Sequence, residues 1–126
     1  MKPHPIIIVC FLVLLAACGN NGIAAMRPEV EVEMSNKSSR DLENAEALFG
    51  EYTCRWGWVV KATSASYMYY PYPITAKAEL RWDAAGKHHV ENVDLRKIYQ
   101  DGKSGRLTFT VYDDRVEVHF REENKK

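Results

Sequence analysis

Three histidines and one thiol lie where chemistry could be done. His88 and His89 are adjacent, so on a strand their side chains leave opposite faces and cannot converge on one metal without a bulge. A site built from one of them with His119 and a carboxylate, or a thiol role for Cys54, ranks behind simpler readings: exposed histidines beside a turn, and a small buried apolar residue flanked by Tyr52, Trp56 and Trp58. The carboxylates are scattered at strand alternation, with no paired acid and base. No nucleophile elbow, phosphate-cradling glycine loop, zinc spacing or calcium loop occurs. We therefore expect a non-catalytic protein without metal or cofactor.

The segment Tyr67-Met68-Tyr69-Tyr70-Pro71-Tyr72-Pro73 carries a different chemistry. Two prolines spaced by one residue prevent regular strand pairing and predict a stiff, extended stretch bearing Tyr67, Tyr69, Tyr70 and Tyr72. Such rings could stack on a sugar or bury against a protein, with hydroxyls free to hydrogen-bond. Alternatively they cover the end or edge of a sheet, where prolines commonly block pairing. Trp56 and Trp58 are candidate neighbours of this surface.

The elements that must hold these residues are strands. Val30, Val32 and Met34 alternate with glutamates, and Ser35 to Ser39 supply turn residues. Asn36-Lys37-Ser38 matches a glycosylation acceptor but reads as part of that turn. Over 40–49 the pattern is ambiguous. Leu42, Ala45 and Phe49 fit a short helix closed by Gly50, whereas Ala45, Ala47 and Phe49 fit one face of a strand, which the flanking strands favour.

Glu51 to Ala62 predicts one bent strand, or two meeting near Gly57. Ala78, Leu80 and Trp82 alternate inward and Lys77, Glu79 and Arg81 outward. Asp83 to Gly86 then turns into a strand from His88 to Leu95, with Val93 and Leu95 facing the core. Leu107, Phe109 and Val111 share a face, Asp113-Asp114 makes a tight connection, and Val116, Val118 and Phe120 return as a β-hairpin. Six or seven short strands imply a mainly β, antiparallel sandwich, immunoglobulin-like or transthyretin-like, with at most one short helix near 40–49.

The first 17 residues have the three parts of an export signal: a short start with Lys2, an apolar run from Ile6 to Leu14, and small residues Ala16 and Ala17. From Ile6 to Ala17 is 12 residues, against the roughly 20 that cross a bilayer core. Leu15-Ala16-Ala17-Cys18 resembles the lipobox of bacterial lipoproteins at all four positions. The resemblance implies cleavage before Cys18, a diacylglycerol on its thiol, and acylation (for example palmitate) of the new amino terminus. Gly19, where an aspartate would resemble an inner-membrane retention signal, implies the periplasmic face of the outer membrane in a diderm host.

Three units follow: a signal peptide (1–17), a lipidated cysteine with a flexible tether rich in Asn, Gly and Ala (18–28), and a single domain (29–126). Loss of residues 1–17 removes Lys2 alone from 17 basic and 17 acidic residues, leaving an excess of one acid. That balance disfavours nucleic acid. The expected partners are the membrane, through the lipid, and an envelope protein or cell-wall glycan. Cys10 leaves with the signal and Cys18 carries lipid, so Cys54 has no intramolecular disulfide partner.

Overall fold

The computed structural model describes residues 28–123. The signal peptide, the lipobox with Cys18, and the tether as far as residue 27 lie outside the described residues. Eight strands follow in chain order: β1 (Val30–Asn36), β2 (Leu42–Phe49), β3 (Tyr52–Val59), β4 (Ser64–Tyr67), β5 (Lys77–Ala84), β6 (Lys87–Asp94), β7 (Gly105–Val111) and β8 (Val116–Glu122). They form two four-stranded sheets, ordered β4-β1-β7-β8 and β3-β2-β5-β6.

The chain is thus the expected small β-sandwich, with one strand beyond the six or seven legible in the sequence. The addition is β4, whose residues Ser64-Ala65-Ser66-Tyr67 carry no apolar alternation. All pairings are antiparallel except β1 with β7, which run parallel from Val30↔Gly105 to Asn36↔Val111. In an immunoglobulin constant-type sandwich the first two strands share a sheet. Here β1 and β2 lie in different sheets, which leaves the transthyretin-like alternative.

Alternation places the core as expected. Val30, Val32 and Met34 of β1, Leu107, Phe109 and Val111 of β7, and Ala78, Leu80 and Trp82 of β5 are all buried, and Phe49 and Phe109 meet at 6.2 Å between ring centroids. The outer faces carry ion pairs instead, among them Glu31 with Arg106, Glu46 with Arg55 and Glu79 with Arg81.

Residues 42–49 are a strand and not a helix, and the ambiguity has a physical cause. Leu42 and Ala45 are both buried although an odd spacing should put them on opposite faces. A β-bulge resolves this: the register against β3 shifts between Leu42 and Ala45, with Asn44 at φ 51°. Opposite it, Gly57 at φ 79° bends β3, so Cys54 and Val59 both point inward.

Asn36, the last residue of β1, is fully buried. Its Nδ2 donates to the carbonyls of Arg40 (2.8 Å) and Val59 (3.0 Å), and its Oδ1 accepts from the Ser38 backbone N–H (3.0 Å) and hydroxyl (2.6 Å). The triplet is therefore a structural turn, with the side-chain nitrogen enclosed. Asp113 stitches the same end together by accepting from the Ser39 N–H (2.8 Å) and hydroxyl (2.9 Å).

The two ends of the sandwich differ. At the far end the connections are short: 37–41, 60–63, 85–86 and 112–115. At the entry end, where β1 begins, the long connections 68–76 and 95–104 gather beside Pro28.

Candidate functional site

After Tyr67 the chain leaves one sheet and must reach Lys77 in the other. Pro71 and Pro73 keep it out of the ladder, as their missing N–H groups dictate. The segment is nevertheless not extended throughout. Met68 and Tyr69 turn, with Tyr69 in the left-handed region at φ 54°, and the Tyr70 N–H donates to the Val30 carbonyl at 2.8 Å. This corrects the expectation of four equivalent tyrosines on a stiff rod.

Tyr70 is a core residue, 5% exposed, tilted against Phe49 at 5.4 Å and edge-on to Tyr67 (5.5 Å) and Tyr72 (5.7 Å). Tyr67, Met68, Tyr69 and Tyr72 remain 39%, 54%, 65% and 45% exposed. Tyr72 stacks face to face on Tyr52, 4.3 Å apart and 5° from parallel. In the sequence Tyr52 figures only as a neighbour of Cys54; its place at this end follows from its pairing with Phe49 across the Gly50-Glu51 turn.

An open groove of about 810 Å³ lies between Pro28–Val30, Tyr52, the Tyr69–Ile74 segment, and Tyr99, Asp101 and Gly102. Tyr70 covers the sandwich end, as one of the two readings of the tyrosines expected, and Tyr69 stays exposed beside the groove.

Trp56 and Trp58 do not join this surface. The bulge at Gly57 sends them apart: Trp56 turns inward, packs edge-on to Phe109 at 6.2 Å and donates its indole N–H to the Val32 carbonyl (3.1 Å). Trp58 is exposed at the far end, its indole N–H 3.3 Å from Asp41.

The histidines are likewise separated. His88, on the outer face of β6, meets Asp83 at 2.6 Å. Hydrogen bonds from Asn44 and then His88 hold the Asp83 carboxyl below its usual range. His89 stacks on Trp82 at 5.2 Å on the inner face. His119 pairs with Thr108 on the outer face of the other sheet. Neither His88 nor His119 comes together with buried Cys54, and among the described residues no group of three His, Cys, Asp or Glu is arranged to hold a metal. A second open groove, about 550 Å³, lies at the far end beside Trp82 and His89. It mixes Arg40, Lys87 and Arg115 with Glu91, Asp113 and Asp114, which favours no ligand charge.

Cys54 and Tyr70 are the groups whose ionisation burial suppresses most. Burial pushes the Cys54 thiol up to about 12. Burial, reinforced by Cys54 and the neighbouring tyrosines, pushes the Tyr70 phenol well above its ordinary range; its hydroxyl has no hydrogen-bond partner among the described residues. From the ordinary thiol value of 9.0 upward, the unfolded chain loses a proton that the folded chain retains. Stability contributed by the neutral thiol is thus complete below that value and is lost as pH rises toward 12, by up to about 1.4 kcal/mol per pH unit. Urea melts between pH 8 and 11 should show this fall, and Cys54→Ala should flatten its slope. At pH 8 a disulfide reagent should leave the folded thiol untouched and titrate it fully once the chain is denatured.

No protein-family model and no curated protein sequence matches this chain. Among solved structures it is similar to one determined by NMR for a protein from Eubacterium rectale, at 10% identity and a TM-score of 0.51, covering 78% of this chain and 93% of that one. At that identity the likeness shows the fold alone, a small β-sandwich.

Proposed function

We propose that this protein is a lipoprotein of the bacterial cell envelope, anchored through lipid on Cys18, whose sandwich is a non-catalytic interaction or accessory module presenting its entry end to a partner. One observation carries the reading: the chain enters the domain at the aromatic groove. Pro28 lies in the groove wall and the Val30 carbonyl accepts from Tyr70. An anchor on Cys18 therefore holds this end, and not the short-looped far end, close to the envelope surface. The displaced proton affinities lend no support to catalysis. They belong to buried Cys54 and Tyr70, or to carboxylates such as Asp83, Asp94, Asp113 and Glu117 held by neighbouring donors.

A second reading, glycan binding by the tyrosines, draws on the exposure of Tyr69. It is weakened because Tyr72 already spends one ring face on Tyr52.

The test is fatty-acid labelling in a bacterial host. The native chain should incorporate a palmitate analogue and sediment with membranes, and Cys18→Ala should do neither. An unlabelled, soluble native chain would overturn the anchoring. Crosslinked pull-downs should then compare the native chain with Tyr69→Asn, which suits a left-handed backbone and spares buried Tyr70. Loss of a crosslinked envelope partner would place the contact surface, and an unchanged set would remove Tyr69 from it.

A further inference from the structure

We infer that the partner of the aromatic end is the phospholipid headgroup layer of the membrane that holds the anchor, so that the domain rests on lipid through Tyr67, Met68, Tyr69 and Tyr72. The inference rests on the anchoring proposed above and names what that surface touches.

The exposed apolar side chains are distributed unevenly. Of seven large hydrophobic residues exposed among the described residues, four fall within residues 67–72, and the other three, Trp58, Val60 and Val90, lie outside that segment. The outer faces of both sheets are laced with ion pairs and suit water. Among the described residues the entry end thus carries the largest group of exposed apolar side chains, the far end having Trp58 and Val60. Tyrosine suits a membrane interface because its ring sits among the upper acyl carbons while its hydroxyl stays at headgroup level. Tyr69 is held at φ 54°, a conformation that costs a bulky residue energy, and its ring projects to the outside.

The length of the connection fits. Cys18 and Pro28 are ten residues apart, a length that can span at most about 35 Å. That is short enough to keep the entry end at the surface. It is also long enough for the end to seat without strain. The groove wall contributes the carboxylate of Asp101, which matches the ammonium of an ethanolamine-type headgroup and disfavours a purely anionic surface.

The lipidated native chain, with its acyl mass confirmed, would be reconstituted into phosphatidylethanolamine–phosphatidylcholine vesicles and treated with a water-soluble tyrosine-nitrating reagent. Modification would be mapped residue by residue against the unlipidated Cys18→Ala chain in solution. Nitration of Tyr69 should fall severalfold in the vesicles, while Tyr112 at the far end stays unchanged. Equal nitration of Tyr69 in both samples would overturn the docking, as would protection already present in Cys18→Ala, since the chain's own tether would then be the cover.

A spin label at Met68→Cys reads the same contact independently: in vesicles it should favour collision with oxygen over a water-soluble nickel complex, and a label at Asp114→Cys should show the reverse. A water-exposed label at Met68→Cys that is immobilised by cell-wall glycan fragments would overturn lipid docking in favour of glycan. Failure of the anchoring itself is separable, because it appears first as a missing acyl mass.

Discussion

A Gly105→Ala chain should melt roughly 10–20 °C below the native protein, for a loss of about 3 kcal/mol. A Cβ at Gly105 would lie 2.1 Å from the Arg121 carbonyl oxygen and 2.9 Å from both the Glu122 Cα and the Phe120 Cζ. Two of those atoms are backbone, so no rotamer change relieves the overlap. The strands themselves must part where Gly105 faces Glu122. Parting them disturbs more than one ladder. The Gly105 N–H donates to the Glu29 carbonyl at 3.0 Å, and Phe120 packs edge-on to Tyr99 at 4.9 Å, closing the 95–104 connection. A domain of this size has about 5–14 kcal/mol to lose. Thermal unfolding followed by circular dichroism measures the change, and a midpoint within two or three degrees of native, roughly 0.5 kcal/mol, would show that β7 and β8 pair more loosely than the geometry requires.

Asn36→Asp should cost about 3–5 kcal/mol at neutral pH, because it removes the nitrogen that donates to two carbonyls and buries a charge met only by the Ser38 N–H and hydroxyl. The Asn36 amide donates to two carbonyls, those of Arg40 and Val59; a carboxylate there would face both with lone pairs and leave them without a donor. The sign of the pH dependence follows. Enclosure and two opposing carbonyls outweigh the Ser38 N–H and hydroxyl, which favour the charged form, and raise the introduced carboxyl's folded pKa above its unfolded value of ~3.9. Its neutral form, which regains one donor, is therefore the form the fold tolerates. The variant should be least impaired near pH 4 and lose stability as pH rises through the folded pKa. Denaturant melts at pH 4 and pH 7 measure the difference, and a penalty that is equal at both would mean that water reaches the site.

Regular strands were legible from their residues because each buries one face. The alternation in β1, β5 and β7 named the buried residues correctly, down to Leu107, Phe109 and Val111, while Val116, Val118 and Phe120 of edge strand β8 are only half-buried. What could not be read was where alternation breaks. Leu42 and Ala45, three apart, imitate a helical face because the bulge at Asn44 adds a residue to the strand. Trp56 and Trp58, two apart, imitate a shared face; the bend at Gly57 was legible from the glycine, but which way it turns each ring was not. The bulge at Asn44 leaves no local mark that a single sequence distinguishes from ordinary polar content. β4 escaped notice for a related reason: as an edge strand of four residues it buries little, so apolar patterning had nothing to record.

The candidate site was partly legible. The Tyr67–Pro73 composition drew attention to the segment that borders the groove, and the prolines kept 68–73, though not Tyr67, out of a ladder. Its division into a buried Tyr70 and an exposed Tyr69 depends on the Tyr70 hydrogen bond to Val30, forty residues away in sequence. The same contact set, with Tyr52, lies beyond any local pattern.

The parallel pairing of β1 with β7 also fixes an order of events. Strand β1 sits between β4 and β7, and its partner at Gly105 follows 75 residues after Val30. The β2–β3 and β5–β6 hairpins need only their own turns, and form on the microsecond timescale of such local structures. The sheet containing β1 must wait for a distant segment, and closing so long a loop slows folding. A chain emerging from the ribosome amino end first would therefore carry a first strand paired on one edge only, to β4, until β7 had been made. Delay of this kind postpones the locking of the sandwich until β7 arrives, and would keep the polypeptide threadable for the export proposed above.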